Sequence, residues 1–346
     1  MQTIRYSRRL FDDFLRSHGY DADADNSYQR LPQPTGTLIV CLGHYAFKFF
    51  PSTIPLDEKR RRFEIEVEHQ ALFDTPQRVV FAYFAVSKSG GRNVIVDPSD
   101  ARNIVDYVLF MRRLNAEDSI LERINAGLVD VHFGNVMAGT LIKFHSRCEI
   151  IFDLDEIRAI SDNELMGEEK DIAVARELLS SLSSEAFSDR THTLELLDGV
   201  DQYFSDTRKV RRNLLLTRGS DNLLRDVHGD LHIDNWSMME GHLVLPDVMP
   251  YDRYRRVDLL RDVVRVLIEL RGFGLEHVAE AFNQRYFLLH PEAFSAPLIK
   301  YFVIRLSLAD LTTQLGRAHQ RDAAFSRSRM EFWMRRREML WQLLRY

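Results

Sequence analysis

Cysteine is almost absent from this chain, with only Cys41 and Cys148 among 346 residues. Two cysteines cannot build a disulfide framework or a Cys-rich zinc site, and their scarcity fits a reducing compartment. Glycine (16) and proline (10) are sparse as well, which excludes collagen-like and low-complexity chains. No stretch reaches the roughly 18 consecutive apolar residues of a membrane-spanning helix. The start of the chain, Met1 to Arg9, has no apolar run after its basic residues, so no signal peptide is expected. A basic surplus is missing too. Lys and Arg number 46 against 51 Asp and Glu, a net charge of −5, which argues against a general nucleic-acid binder. Together these absences predict a soluble, cytoplasmic protein without a membrane span.

What is present is an ordinary globular composition, 45% apolar and 28% charged. At about 150 residues per domain the length suggests two domains or lobes. Strand signals crowd the first part. Thr37–Leu42 and Tyr45–Phe50 are apolar runs joined by a Gly43-His44 turn, and Val79–Ser87, Asn93–Asp97 and Val105–Met111 follow. Between them Leu56–Phe73 is charged and helix-prone, fenced by Pro51, Pro55 and Pro76. After Arg113 helical periodicity dominates, over 116–146, 168–184, 192–214, 256–271, 275–287, 296–318 and 322–344, with a polar, Ser-rich loop expected over 180–193. The expected fold class is α+β. A small antiparallel sheet with one helix, residues 1–112, precedes a larger, mainly helical lobe, residues 113–346.

One strand–loop–strand unit interrupts the helices. Leu223–Val227 leads into His228-Gly-Asp-Leu-His-Ile-Asp-Asn235. Trp236-Ser-Met-Met, a Glu240-Gly241 turn and the apolar His242–Leu245 come next, and Asp247 stands 12 residues after Asn235. Asp230 and Asn235 project from one tight loop, and Asp247 comes off the next strand end. Three oxygen-bearing side chains can therefore converge. Hard cations such as Mg²⁺ take oxygen ligands, often one or two carboxylates plus phosphate oxygens. Phosphoryl transfer needs a carboxylate near the acceptor hydroxyl and a metal across the phosphates.

The string His-Gly-Asp-Leu-His-x-x-Asn resembles the catalytic loop of the aminoglycoside phosphotransferase and choline kinase families, which share the protein-kinase-like two-lobe fold. The resemblance implies Asp230 as catalytic base and Asn235 and Asp247 as Mg²⁺ ligands. His232 falls near the transferring phosphate, open between phosphate contact and loop support. It also implies an ATP site in the small lobe, with a strand lysine held by a helix glutamate. Lys48 in Tyr45-Ala-Phe-Lys-Phe49 and Glu66, 18 residues later, match those positions. The bland alternatives are a snorkelling lysine and a solvated face of Glu64, Glu66 and Glu68. With Arg60-Arg-Arg-Phe63, Met111-Arg-Arg-Leu114 and Arg256-Val-Asp258, these segments look like a bacterial branch of aminoglycoside-phosphotransferase-like proteins. Some members of that branch add a P-loop kinase domain. This chain has no Gly-x-x-x-x-Gly-Lys-Ser/Thr, which implies a single-module form. The resemblance covers about 36–315 and is thinnest over 148–195, the acceptor-facing region.

The expected activity is thus ATP- and Mg²⁺-dependent transfer of a phosphoryl group to a hydroxyl of a small molecule. Two departures motivate a rival, a nucleotide-binding pseudokinase acting through protein partners. No acid follows Asp247 until Asp252, and no Gly-rich loop lies near Gly43. A second rival is an adaptor for nucleic acid or an anionic membrane surface, built on the arginine-rich stretch Arg317–Tyr346 with Arg335-Arg-Arg337 between Trp333 and Trp341. The bland reading of that stretch is an amphipathic last helix packed by Phe332, Leu340 and Leu344. His228 reads as structural, its ring bonding backbone or carboxylate. Asp258 and Asp262, four apart with Arg261 and Arg265 in reach, read as a helix ion-pair ladder, or else Asp258 braces the loop. Asp130-Val-His-Phe-Gly-Asn135 resembles a degraded copy of the loop but sits in a helical pattern. The remaining histidines are scattered, so a zinc site is not expected.

Overall fold

A computed structural model describes residues 6–20, 28–33, 36–181 and 190–319. In chain order the elements are α1 (Arg8–Ser17), β1 (Tyr28–Pro32), β2 (Leu38–Leu42), β3 (Tyr45–Phe49), α2 (Leu56–Gln70), β4 (Val80–Ser89), β5 (Arg92–Val96) and β6 (Ile104–Arg112). Then come α3 (Ile120–Asn125), α4 (Val131–Arg147), α5 (Leu154–Ser181), α6 (Arg190–Ser220), β7 (Leu224–Asp226), β8 (Ser237–Met239) and β9 (His242–Val244). The last are α7 (Asp252–Arg255), β10 (Arg256–Asp258), α8 (Leu260–Gly272), α9 (Glu276–Leu289) and α10 (Ala296–His319). The chain divides into two compact units, Met1–Arg123 with Asp234–Pro250 and Ile124–Ile233 with Tyr251–Tyr346.

The first unit is built on a six-stranded antiparallel sheet in the order β1-β2-β3-β6-β4-β5. Successive side chains of a strand point to opposite faces. Val40, Phe47, Phe49, Val108 and Phe110 supply one face, and Leu10, Phe11, Phe14 and Leu15 of α1 pack on it. Cys41, Ala46, Leu109 and Met111 supply the other, with Phe63 of α2, Met239 and Val244. Lys48 alternates with Ala46 and so belongs to this second face. The sequence reading gave this unit one helix; α1 and the edge strand β1 are additions. In α1 the apolar residues form a single stripe, while Arg8–Asp12 and Arg9–Asp13 pair at i, i+4 on the other side. Pro55 and the acids Asp57 and Glu58 open α2, placing negative charge at its N-terminus.

The second unit is helical. The helix expected over 116–146 is broken. Gly127 takes a left-handed φ of +69°, and Asp130 starts α4 afresh by accepting the Phe133 N–H at 3.0 Å. The decoy sequence 130–135 is therefore a helix N-terminus. Its glycine serves packing, because a Cβ on Gly134 would collide with the Val278 carbonyl of α9. Residues 256–258 do not begin a helix; they form β10, antiparallel to β7. α5 starts at Leu154, earlier than periodicity suggested, and runs to Ser181, with α6 opening at Arg190. Cys41 and Cys148 are both buried and unbridged. Among the described residues no helix is long and apolar enough to cross a membrane. The expected helix over 322–344, and all of the arginine-rich stretch beyond the end of α10, lie outside the described residues.

Candidate active site

The motif loop leaves β7 in the second unit. Gly229 has φ +77°, a left-handed conformation open to glycine at no steric cost. The loop backbone is tied to α8, where Asp262, 1% exposed, accepts the N–H groups of His228 and Gly229 at 3.0 Å each. Asp262 also lies 3.4 Å from His145 Nε2, whose Nδ1 is 2.8 Å from the Tyr286 hydroxyl. The reading that gave the bracing role to Asp258 is corrected here: Asp262 fills it. Asp258 instead binds the Arg218 guanidinium and accepts the N–H of Leu260, the first residue of α8, at 2.8 Å. The expected ladder does not form along the helix either. Arg261 pairs with Glu164 of α5, and Arg265 with Asp310 of α10 at 2.6 Å.

His228 is buried, and its Nδ1 lies 3.4 Å from the Asp230 N–H, a backbone contact of the kind expected for a structural histidine. The Asp230 carboxylate is partly exposed, with His232 Nε2 3.5 Å from Oδ1. The other ring nitrogen of His232, Nδ1, is 3.2 Å from Glu269 Oε1. Burial and the nearby Arg265 push the His232 pKa down. The Glu269 hydrogen bond and charge, with Asp310, outweigh them and leave it above the usual imidazole range.

Lys48, Glu66, Asn235 and Asp247 belong to the first unit. Lys48 Nζ donates to Glu66 Oε1 at 2.9 Å and Oε2 at 3.2 Å, both side chains being buried. It also donates to Asp247 Oδ1. Burial works against the ammonium, but the charges of Asp247 and Glu66 outweigh it, so Lys48 holds its proton more firmly than usual. Burial, with the charge of Asp247, pushes Glu66 up to about 7 against the pull of Lys48. One ammonium thus serves two carboxylates, and the buried one bears the deficit. Asp247 sits at φ +60°, and its side chain is half exposed. Asn235 closes the 3₁₀ turn Ile233–Asn235.

Gln70, which the sequence reading missed, fixes this geometry. Its Nε2 donates to the Leu245 carbonyl at 2.6 Å, and its Oε1 accepts from the Val79 N–H at 2.8 Å. It thereby ties the segment before Asp247 to both α2 and the sheet. A buried glutamine one turn after Glu66 was the available signal.

The donor chemistry of Asp247 and Asn235 fits Mg²⁺. One carboxylate and one carboxamide oxygen are hard ligands, and the exposure of Asp247 leaves room for an ion that keeps waters and takes phosphate oxygens. Lys48, a point charge on a flexible stem, suits phosphate oxygens.

No family model matches the chain, and no curated protein matches it. Solved structures do. A choline kinase from Cryptosporidium parvum aligns with TM-score 0.54 and 10% identity, covering 97% of each chain. A spectinomycin phosphotransferase crystallised with ADP and spectinomycin aligns with TM-score 0.50 and 10% identity, covering 99% of this chain and 98% of that one. The chain has the protein-kinase-like two-lobe α+β fold, and its structural neighbours are choline/ethanolamine kinases and aminoglycoside phosphotransferases.

Proposed function

We propose that this protein is an ATP- and Mg²⁺-dependent phosphotransferase that moves the γ-phosphoryl group to a hydroxyl of a small molecule. The buried Lys48–Glu66 pair, with Asp247 on the same ammonium, carries the reading. A buried lysine–glutamate pair is a poor source of stability, and polyphosphate recognition is a function that would retain it. Lys48 then positions the α- and β-phosphates, and Glu66 keeps its ammonium aimed. Asn235 and Asp247 would hold Mg²⁺, which would supply positive charge to offset that of the phosphates. Asp230 orients the acceptor hydroxyl and takes its proton. Catalysis on this scheme is positioning and electrostatics. The fold neighbours named for choline and spectinomycin support an acceptor that is a small hydroxyl compound.

The test is thermal unfolding with and without Mg-ATP, wild type beside Asp247→Ala. Ligand at 100 times its Kd adds about 2.7 kcal/mol to the folded state, a rise of several degrees. A metal-dependent rise that is lost in Asp247→Ala supports the reading, and no rise at millimolar Mg-ATP overturns it. The pseudokinase alternative keeps one specific observation in its favour. The first acid after Asp247, Asp252, is taken up by Arg255 at 2.8 Å. Mg-ATP binding without phosphoryl transfer to any acceptor or to water would select it.

A further inference from the structure

Within the second unit, contacts run unbroken from Asp230 through His232, Glu269 and Arg265 to Asp310. Glu269 Oε1 lies 3.2 Å from His232 Nδ1 and 3.7 Å from Arg265, which Asp310 of α10 holds at 2.6 Å. An ionised Glu269 only accepts hydrogen bonds, so its 3.2 Å contact calls for a proton on Nδ1. Nε2 is then left facing Asp230 Oδ1, 3.5 Å away. Exposure differs along the run: the His232 side chain is 38% exposed and that of Glu269 6%. One edge of the ring is pinned by a buried acid, and the rest reaches solvent.

We propose that His232 is the proton relay behind Asp230 and that Glu269 is the positioning residue that fixes its tautomer, an inference that rests on the phosphotransfer reading. The acceptor oxygen forms its bond to the γ-phosphorus as the bond from that phosphorus to the bridging oxygen of the nucleoside diphosphate breaks. The hydroxyl proton moves to the Asp230 carboxylate. It passes from there to the lone pair of neutral His232 Nε2, leaving an imidazolium whose Nδ1–H stays on Glu269. The imidazolium returns the proton to water through its exposed edge, and Asp230 is again a carboxylate. Nothing is oxidised or reduced. The groups that bear on the ring are Asp230 from the loop, Glu269 and Arg265 from α8 and Asp310 from α10. Their balance raises the affinity of the ring for a proton.

The experiment is NMR of the full chain with ¹⁵N-labelled histidine, using His232→Gln for assignment and Glu269→Gln as the perturbation. It runs beside pH profiles of phosphoryl transfer to water. Neutral His232 is expected as the Nδ1–H tautomer. In Glu269→Gln both its titration midpoint and the acid limb of kcat/KM should move to lower pH together. Asp310→Asn should shift both the same way and serves if the Glu269 variant does not fold. Turnover with wild-type His232 in the Nε2–H tautomer, or an acid limb that stays put while the midpoint moves, overturns the relay alone. The Nδ1–H tautomer with no turnover overturns the phosphotransfer reading and the relay with it.

Discussion

Replacing Asp262 by asparagine leaves the shape of α8 intact and removes one acceptor from the loop that carries Asp230. The carboxylate is 1% exposed and accepts two backbone N–H groups at 3.0 Å. Hydrogen bonds to a charged acceptor are worth about 1.5–3 kcal/mol each. The amide oxygen keeps one of them, in weaker neutral form. The amide NH₂ meets the other N–H donor to donor, which leaves a buried donor unsatisfied at about 1–3 kcal/mol. Relief from burying a charge offsets part of this, so the expected net loss is about 2–4 kcal/mol. The loss concentrates at one place. Amide hydrogen exchange at His228 and Gly229 should accelerate by about 30-fold or more, since each 1.4 kcal/mol is a factor of ten. Urea unfolding measures the total, and residue-resolved exchange measures the local share. Unchanged protection at both amides would refute the argument that Asp262 anchors the loop, whatever the global stability did.

Two further outcomes follow from packing and charge in the helical unit. Glu168 is buried against Arg211 at 2.6 Å, and its Oε1 has no hydrogen-bond partner. Burial, only partly countered by Arg211 and Tyr301, raises its carboxyl from 4.5 to about 7. A carboxyl with a raised pKa stabilises the fold fully below pH 4.5 and loses that contribution as pH rises through 7, here roughly 3 kcal/mol. Glu168→Gln should flatten the pH dependence of unfolding in that window by about this amount; an identical slope in both proteins would count against it. Gly134→Ala gains about 0.5–1 kcal/mol of helix propensity but drives a methyl into the Val278 carbonyl and to 3.1 Å from the Phe282 nitrogen. A net loss of about 1–3 kcal/mol is expected. Gly139→Ala, on the same helix with nothing within 4 Å of the new Cβ, should be neutral or stabilising. Equal effects in the two variants would show that close approach of α4 and α9 is not what holds Gly134 in place.

The sheet strands from Leu38 to Arg112 were readable because each is a short apolar run closed by turn residues, and turn chemistry is local. Lys48 and Glu66 were readable as a pair only through the family resemblance, which asks for a strand lysine held by a helix glutamate. The local sign was limited to a lysine among aromatics, an odd residue for a plain strand; spacing alone did not choose Glu66 over Glu64 or Glu68. Their 2.9 Å contact joins residues 18 apart in sequence. α1 was not legible. Ten residues give too few turns for periodicity to stand out from the basic, Arg-rich start of the chain. Its stripe gains meaning only from the phenylalanines of β3 and β6 that it covers. The break at Gly127 was hidden by apolar spacing that continues through it from Ile120 to Leu141.

Asp262 shows where local pattern gives out. On a surface helix, acids and arginines at i+3 and i+4 neutralise one another, and a ladder is the sound expectation. α8 is not a surface helix. Leu260 to Leu270 are buried without interruption, Arg261, Asp262, Arg265 and Glu269 included. A charge with no solvent must find a partner of suitable geometry, and on α8 each has its shortest contact on another element, with Arg265 and Glu269 also 3.7 Å apart along the helix. Arg261 reaches α5, Arg265 reaches α10, Asp262 reaches the loop backbone and Glu269 reaches the His232 ring. Four charges among the Val, Leu and Ile of Leu260–Leu270 were therefore the signal that it runs through the centre of its unit. Which loop it braces could not be read from spacing, because the partners of Asp262 lie 33 and 34 residues away. The same geometry explains why the loop can present Asp230 partly exposed on a stretch containing a left-handed glycine. Its backbone is held from behind by a buried carboxylate, so the Asp230 side can face solvent without loosening the loop.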